Sequence, residues 1–227
     1  MIAIIPARGG SKGLSGKNVK LMCGKPLIAY TIEAALASKL VSRVIVSTED
    51  PHIAEIAVKY GAEVPFLRPK HLADDNSLAV DTYLYTIHRI CKDKSIMVKS
   101  IIVLQPTSPL RTSNDIDNAI ELFKDNNADS VISYTKELHP ISWHKYIDSD
   151  QRIISRSHEE LHNRQDLQET YYPNGAIFIF KYEMLESRKY YSENSYAYIM
   201  SRSRSIDIDY IEDFEYAEFL ISKNMKQ

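Results

Sequence analysis

The chain has 227 residues, of which 44% are hydrophobic and 26% charged, and its net charge is −2 at pH 7. This length fits a single domain with a core of its own, and the composition is ordinary for a globular protein. The near-neutral charge argues against nucleic acid as a partner, because the chain has no overall basic field.

Two cysteines and the hydropathy pattern indicate the compartment. Cys23 and Cys91 lack metal-type spacing and are interpreted as thiols of a reducing compartment. The opening apolar run 2–5 is too short for a signal peptide, and no stretch approaches transmembrane length. The sequence therefore predicts a cytoplasmic protein that does not contact a membrane.

Short apolar runs alternate with amphipathic helical patterns along most of the chain. Strands are predicted at 2–5, 44–46, 101–104, 130–134, 175–180 and 196–200, and helices at about 26–38, 51–60, 77–92, from 113 and from 212. The alternation predicts one α/β domain over 1–227 with a mainly parallel sheet. In such folds ligands bind at the carboxyl ends of the strands.

Residues 136–172 interrupt this alternation. They are polar and contain Trp143 and four of the seven histidines. We interpret 136–172 as a protruding extension suited to dimer contacts, and the alternative is a surface excursion without a partner.

The first predicted strand is followed by a glycine-rich, cationic loop. Five of the seven glycines lie between positions 9 and 24, and residues 1–32 contain no Asp or Glu. The cations of this stretch are Arg8, Lys12, Lys17, Lys20 and Lys25. Closely approaching backbone amides and clustered cations favour a polyphosphate, although a merely tight turn is the simpler alternative.

Known glycine motifs do not fit this loop. The P-loop and dinucleotide spacings are absent. The stretch Gly9–Gly13 matches the letters of a hydrolase nucleophile elbow around Ser11, but only one short strand precedes it, so the context of that elbow is missing.

A pair of acids lies near the carboxyl end of the chain. In an extended segment, Asp207 and Asp209 would point to the same side, with Ile206 and Ile208 directed to the other. Two carboxylates this close repel one another unless a cation lies between them, and Mg²⁺ prefers such oxygens together with phosphates. A solvated acidic edge is the alternative.

Other polar residues also follow predicted strands. The run Ser47–Asp50 follows the second strand, and Gln105 and Thr107 follow the third. Arg68 precedes a proline after the second βα unit. Because carboxyl ends of parallel strands meet at one edge, these positions together predict a single site.

Together these residues resemble the CMP-sialic acid synthetases, the acylneuraminate cytidylyltransferases. The resemblance is collinear over almost the whole chain. It includes Ile5–Leu14, Gly16–Asn18, Gly24–Ile28, Arg68-Pro69, Leu104–Arg111, Arg164, Tyr172–Phe178 and Ser205–Asp209.

The resemblance implies a Rossmann-like nucleotidyltransferase, a homodimer, and transfer of CMP from CTP to a nine-carbon 2-keto sugar acid with release of pyrophosphate. Arg8 and Lys17 would bind the triphosphate and stabilise charge at the α-phosphate, and Asp207 and Asp209 would hold Mg²⁺, with Asp209 also counted as catalytic. The implied substrate contacts are Ser11 and Lys12 beside the triphosphate, Asn18 and Arg68 at the cytidine, Gln105 at the sugar, Arg164 reaching into the neighbouring subunit's site, and in addition Thr107 and Asn174.

Two other functions stay open at this point. A related transferase for 3-deoxy-octulosonate would lack the contexts of 174–176 and 205–209 as written here. A silent nucleotide-binding scaffold would not need the charges of Arg8, Lys17, Asp207 and Asp209 together. The sequence does not distinguish the nonulosonic acids, although neuraminic or legionaminic acid is expected over pseudaminic acid.

Overall fold

The computed structural model describes residues 1–10, 13–94, 97–154 and 168–224. The strands are β1 (Ile2–Pro6), β2 (Leu21–Met22), β3 (Lys25–Pro26), β4 (Arg43–Ser47), β5 (Ser100–Leu104), β6 (Ser130–Lys136), β7 (Tyr146–Ile147), β8 (Ile153–Ile154), β9 (Tyr171–Lys181) and β10 (Ser195–Ile199). The helices are α1 (Leu27–Leu36), α2 (Pro51–Lys59), α3 (Ala79–Lys94), α4 (Ser113–Asp125), α5 (Tyr182–Glu186) and α6 (Ile211–Asn224).

A six-stranded sheet in the order β10-β6-β9-β5-β1-β4 organises the fold. β9 is antiparallel to both of its neighbours, while the β10–β6, β5–β1 and β1–β4 pairs are parallel. Pro6 pairs with Ser47, and Ile4 pairs with Val103 one residue before β5 ends at Leu104. The loops after β1, β4 and β5 therefore leave the same edge of the sheet. This confirms the predicted α/β fold with its mainly parallel sheet.

Alternate residues of the central strands pack against opposite layers, as the two-residue period of a strand requires. On β1, Ala3 and Ile5 join the core shared with α1, α2 and α4, while Ile4 joins the core shared with α3 and α5. The two layers together bury the central strands of the sheet on both faces.

A third apolar cluster fixes the carboxyl end of the chain against its amino end. Ile208 is fully buried with Met22 of the β2–β3 hairpin and with Phe214 of α6. Since Ile208 lies between the two acids of the sequence motif, its burial determines where Asp207 and Asp209 are placed.

The chain leaves the central sheet after β6 ends at Lys136. It forms a single helical turn at Ile141–Trp143 and the exposed hairpin β7–β8, and the chain returns to the sheet in β9. β6 and β9 are both longer than predicted, so their ends overlap the 136–172 range. The dimerisation role of this extension stays a prediction.

None of the helices in the described ranges combines the length and apolar character needed to span a bilayer.

Candidate active site

A cavity of about 530 Å³ opens at the carboxyl edge of the sheet. The predicted site residues that line it are Arg8, Lys17, Asn18, Arg68, Gln105, Thr107, Asp207 and Asp209. The cavity wall also includes Gly13, Leu72–Asp75, Ser77, Thr82, Tyr83 and Tyr210. Residues from both ends of the chain thus share one cavity.

The glycine loop and the acidic segment meet directly. Lys17 Nζ donates a hydrogen bond to the carbonyl oxygen of Ile208 and lies 3.2 Å from Asp209 Oδ1. A Cβ atom at Gly13 would lie 2.3 Å from the carbonyl oxygen of Asp209, so only glycine permits this approach. The Lys17 side chain is largely covered, whereas that of Asp209 is open to the cavity.

A second cation of the loop faces a different acid. Arg8 Nη1 lies 2.9 Å from Asp75 Oδ1 across the cavity, and both side chains are partly exposed. The Arg8 carbonyl oxygen accepts a hydrogen bond from Asn18 Nδ2 at 2.9 Å, so Asn18 braces the backbone that carries Arg8.

Arg68 is buried in the cavity wall by a network around Glu49. The Arg68 guanidinium donates to Glu49 Oε2 through Nε at 3.1 Å and Nη2 at 2.9 Å. Glu49 Oε1 accepts from the backbone N–H of Gly9 at 2.7 Å. Burial lowers the pKa of Arg68, and the Glu49 carboxylate opposes that shift.

The end of β5 is held by a buried arginine. Arg111 donates to the carbonyl oxygens of Gln105 at 3.2 Å and Ala176 at 2.8 Å, and to Thr31 Oγ1 at 2.7 Å. Burial lowers the pKa of Arg111, while the nearby Asp115 raises it. These bonds tie the turn that carries Gln105 to β9 and α1.

The acidic segment is attached to the same turn. The Ile208 N–H donates to the carbonyl oxygen of Thr107 at 2.9 Å. Asp207 is exposed to the cavity, but the surrounding protein partly desolvates its carboxylate and raises its pKa; the negative charge of Asp209 acts in the same direction, against a hydrogen bond from Thr107 and the charge of Lys17. The Asp207 carboxylate is thus in a position where a bound cation would stabilise its charged form. Three-residue clusters of His, Cys, Asp or Glu suited to a metal are absent from the described ranges.

Asn174 is the described site residue that does not line the cavity. Asn174 is buried behind the acidic segment, where its amide donates to Ser205 Oγ at 2.8 Å and accepts from Ser133 Oγ at 2.6 Å. Ser11, Lys12 and Arg164 lie outside the described residues, and their roles stay predictions.

Two polar residues of the site were missed by the sequence analysis. Glu49 lies in the run that follows β4. That position placed the run at the predicted site, but it gave no indication of which groups the Glu49 carboxylate would contact. Asp75 lies in a polar stretch before α3, and only the fold reveals that this stretch faces the glycine loop.

Known proteins match this chain over almost its whole length. A family model described as cytidylyltransferase matches residues 2–226. The CMP-N,N'-diacetyllegionaminic acid synthase of Legionella pneumophila is 37% identical over 100% of this chain and 98% of its own. The N-acylneuraminate cytidylyltransferase of Escherichia coli is 38% identical over 100% of this chain, which spans only 53% of that relative. The pseudaminic acid cytidylyltransferase of Campylobacter jejuni is 32% identical over 98% of this chain and 97% of its own.

Solved structures agree on the fold. A CMP:2-keto-3-deoxy-manno-octonic acid synthetase complexed with CTP superposes with a TM-score of 0.74 at 18% identity, covering 98% of each chain. A 4-diphosphocytidyl-2C-methyl-D-erythritol synthase from Anaerococcus prevotii superposes with a TM-score of 0.65 at 15% identity, covering 97% of this chain and 95% of its own.

Fold and family match together define the class of protein: the chain is a nucleotidyltransferase with a Rossmann-like sheet. Within that class it belongs to the cytidylyltransferase family that includes the CMP-sialic acid synthetases.

Proposed function

We propose that the protein transfers CMP from CTP to the anomeric hydroxyl of a nonulosonic acid, releasing pyrophosphate. The observation that carries this proposal is the convergence of the glycine loop and the acidic segment, with Lys17 Nζ 3.2 Å from Asp209 Oδ1 in one cavity. The names of the full-length relatives from Legionella pneumophila and Campylobacter jejuni support the substrate class.

The chemistry joins two anions. The anomeric hydroxyl of the sugar acid attacks the α-phosphorus in line and releases its proton to solvent, while the bond to the pyrophosphate oxygen breaks and pyrophosphate leaves with that electron pair. Arg8 and Lys17 offset the repulsion between the sugar carboxylate and the triphosphate and stabilise charge that develops at the α-phosphate. Ser11 and Lys12 lie beside them in sequence and are assigned to the same triphosphate.

We assign the cytidine of CTP and the sugar acid to different walls of the cavity. Asn18 and Arg68 are assigned to the cytidine, and Gln105 and Thr107 to the sugar. Arg68 is suited to its role because burial and the Glu49 carboxylate fix its planar group. The predicted contact of Asn174 would require movement of a buried amide, so we assign Asn174 to holding the acidic segment through Ser205.

We further propose that Asp207 and Asp209 hold Mg²⁺. The residues fit, because both carboxylates line the cavity, and desolvation by the surrounding protein together with the negative charge of Asp209 raises the pKa of Asp207. When bound, the ion would supply positive charge to the triphosphate oxygens.

The extension supports a homodimer. Its described part exposes large apolar side chains, with Ile141 68% and Ile153 71% exposed, together with Trp143 and Ile147. Covering these side chains with a second copy would remove them from water, and Arg164 is assigned to the partner's site as in the family. Both cysteines are free thiols, which suits the proposed cytoplasmic location.

Pyrophosphate release with CTP and Mg²⁺ tests the proposal across neuraminic, legionaminic and pseudaminic acids and 3-deoxy-octulosonate. We expect the largest kcat/KM with neuraminic or legionaminic acid. Preference for the octulosonate would contradict the assigned acceptor. Binding of CTP without release from any acid would favour the silent scaffold.

A further inference from the structure

We propose that Glu49 is a positioning residue that orients Arg68 and the glycine loop toward one nucleotide. This inference rests on the proposed function. It starts from a residue that lies just outside the cavity lining, yet contacts two elements that form it.

The two oxygens of the Glu49 carboxylate serve different elements. Oε2 accepts both bonds from the Arg68 guanidinium, at 3.1 and 2.9 Å, while Oε1 accepts the N–H of Gly9 at 2.7 Å. The Arg68 and Glu49 side chains are 4% and 13% exposed, so water competes weakly for these bonds. One carboxylate therefore links the start of the glycine loop to the cation assigned to the cytidine.

The charge of Glu49 is needed as well as its shape. Arg8 lies close enough to Arg68 for their positive charges to interact unfavourably, and burial adds to the cost of the Arg68 charge. The negative charge of Glu49 offsets both effects. Arg8 is paired with a different acid, because its Nη1 lies 2.9 Å from Asp75 Oδ1. Without that carboxylate, the Arg68 guanidinium would turn toward solvent or another acid.

An isosteric amide cannot replace this carboxylate. A glutamine has a single acceptor oxygen, so Glu49→Gln must direct its NH₂ group at either the Arg68 guanidinium or the Gly9 N–H. Both alternatives place donor against donor. Glu49→Asp keeps two acceptors on a shorter side chain and should recover part of the effect.

The chain offers a matched control at the other end of β4. Arg43 donates to Glu63 through Nε at 2.8 Å and Nη2 at 2.6 Å, an arginine–glutamate pair of the same kind. Neither residue lines the cavity, and the two side chains are 17% and 41% exposed, so this pair is less buried than Arg68 and Glu49. Glu63→Gln therefore reports what loss of such a pair does to stability alone.

Steady-state pyrophosphate release is measured for Glu49→Gln, Glu49→Asp and Glu63→Gln, and thermal midpoints are recorded for each. We expect the KM for CTP to rise about tenfold in Glu49→Gln with kcat within about threefold, the pattern of lost uniform binding. Glu49→Asp should lie between this variant and the wild type, and Glu63→Gln should keep the wild-type KM.

A double-mutant cycle that combines Glu49→Gln with Arg68→Lys tests whether Glu49 changes the KM for CTP through Arg68. Because Glu49 acts partly through Arg68 and partly through the Gly9 N–H, the rise in KM that Glu49→Gln causes should be smaller in the Arg68→Lys background than in the wild type. Fully additive effects, or a KM unchanged in Glu49→Gln while its thermal midpoint falls, would overturn the inference. Absence of turnover in the wild type would instead refute the proposed function.

Discussion

At the scale of single residues, the position of Lys17 carries most of the proposed chemistry. Its ammonium group is held by the Ile208 carbonyl oxygen and the Asp209 carboxylate, at the junction of the glycine loop and the acidic segment. A triphosphate that enters the cavity would meet the Lys17 ammonium group already held in position, so little movement of this side chain would be needed on binding.

Lys17→Ala should therefore lose at least ~10²-fold in kcat, the scale of one lost transition-state charge contact. The control is Lys25→Ala, which removes a cation of β3 that is paired with Glu33 and lies outside the cavity lining. Pyrophosphate release measures both variants. Near-normal turnover of Lys17→Ala would contradict its assigned role.

Gly175 tests how closely the acidic segment is packed. It has a φ of +74°, and a Cβ atom there would lie 2.7 Å from Asp207 Oδ2. Gly24 has a similar φ of +78° with no neighbouring atom within 4 Å of its Cβ position. The two glycines share the backbone requirement and differ in the contact with Asp207.

Alanine at either glycine should cost roughly 1–2 kcal/mol of stability through backbone strain. Only Gly175→Ala should also lower kcat, by about tenfold or more, because the new methyl group would displace the Asp207 carboxylate. This is the order of effect expected for a small misplacement of a catalytic group. Thermal unfolding and pyrophosphate release separate the two effects. Equal kcat in Gly175→Ala and Gly24→Ala would show that the contact with Asp207 has no catalytic consequence.

At the scale of elements, the start of α4 connects the helix layer to the segment before the acids. Thr112 and Asp115 form a reciprocal capping box. The buried Asp115 also accepts from the Tyr198 hydroxyl at 3.1 Å and from Arg204 through Nε and Nη2, each at 3.1 Å. Burial opposes ionisation of Asp115, but hydrogen bonds from Thr112 and Arg204 outweigh it and hold the pKa below its ordinary value.

A carboxyl group whose pKa is lower in the folded state stabilises the protein above its unfolded pKa of about 4. That contribution is lost as the pH falls through the folded-state pKa. Asp115→Asn should lower the free energy of unfolding by about 1–3 kcal/mol at pH 7, because it breaks the cap and removes a charged hydrogen bond. The loss should be smaller at pH 3.

Chemical denaturation at both pH values measures this difference. Asp125→Asn, the same substitution at the exposed end of α4, should change stability little. An Asp115→Asn cost that is independent of pH would contradict the assigned role of its charge.

The elements show how far the sequence could predict the structure. The apolar runs predicted β1, β4 and β5, and the polar residues behind those strands predicted the cavity, because carboxyl ends of parallel strands meet at one edge. The hydrophobic pattern cannot reveal strand direction, so the antiparallel β9 was not predicted.

The candidate site also shows how far local sequence patterns can predict the structure. Charged residues that stand out within a local motif, such as Lys17 in the glycine loop and the pair Asp207 and Asp209 in the acidic segment, were singled out by their type and spacing. The partners of Glu49 and Asp75, and the burial of Asn174, depend on contacts between segments distant in sequence, which local patterns do not encode.

At the scale of the whole molecule, the exposed apolar extension predicts association. Its hairpin β7–β8 exposes Ile147 and Ile153, and a second copy would cover them. The double variant Ile147→Asp/Ile153→Asp should sediment as a 26.0 kDa monomer, while the wild type should sediment at twice that mass. Met97→Asp, at an exposed apolar position outside the extension, is the control. A wild-type monomer, or a dimer that survives the double substitution, would contradict this interface.

Cooperation between the cationic loop and the two acids is most directly measured by calorimetric titration of CTP, with and without Mg²⁺. In the wild type, Mg²⁺ should tighten CTP binding by about tenfold or more, because the ion offsets repulsion between the triphosphate and the acid pair. Asp207→Asn/Asp209→Asn should bind metal-free CTP more tightly than the wild type and gain little from Mg²⁺. An undiminished Mg²⁺ effect in this variant would show that Asp207 and Asp209 do not act on the nucleotide held by Lys17.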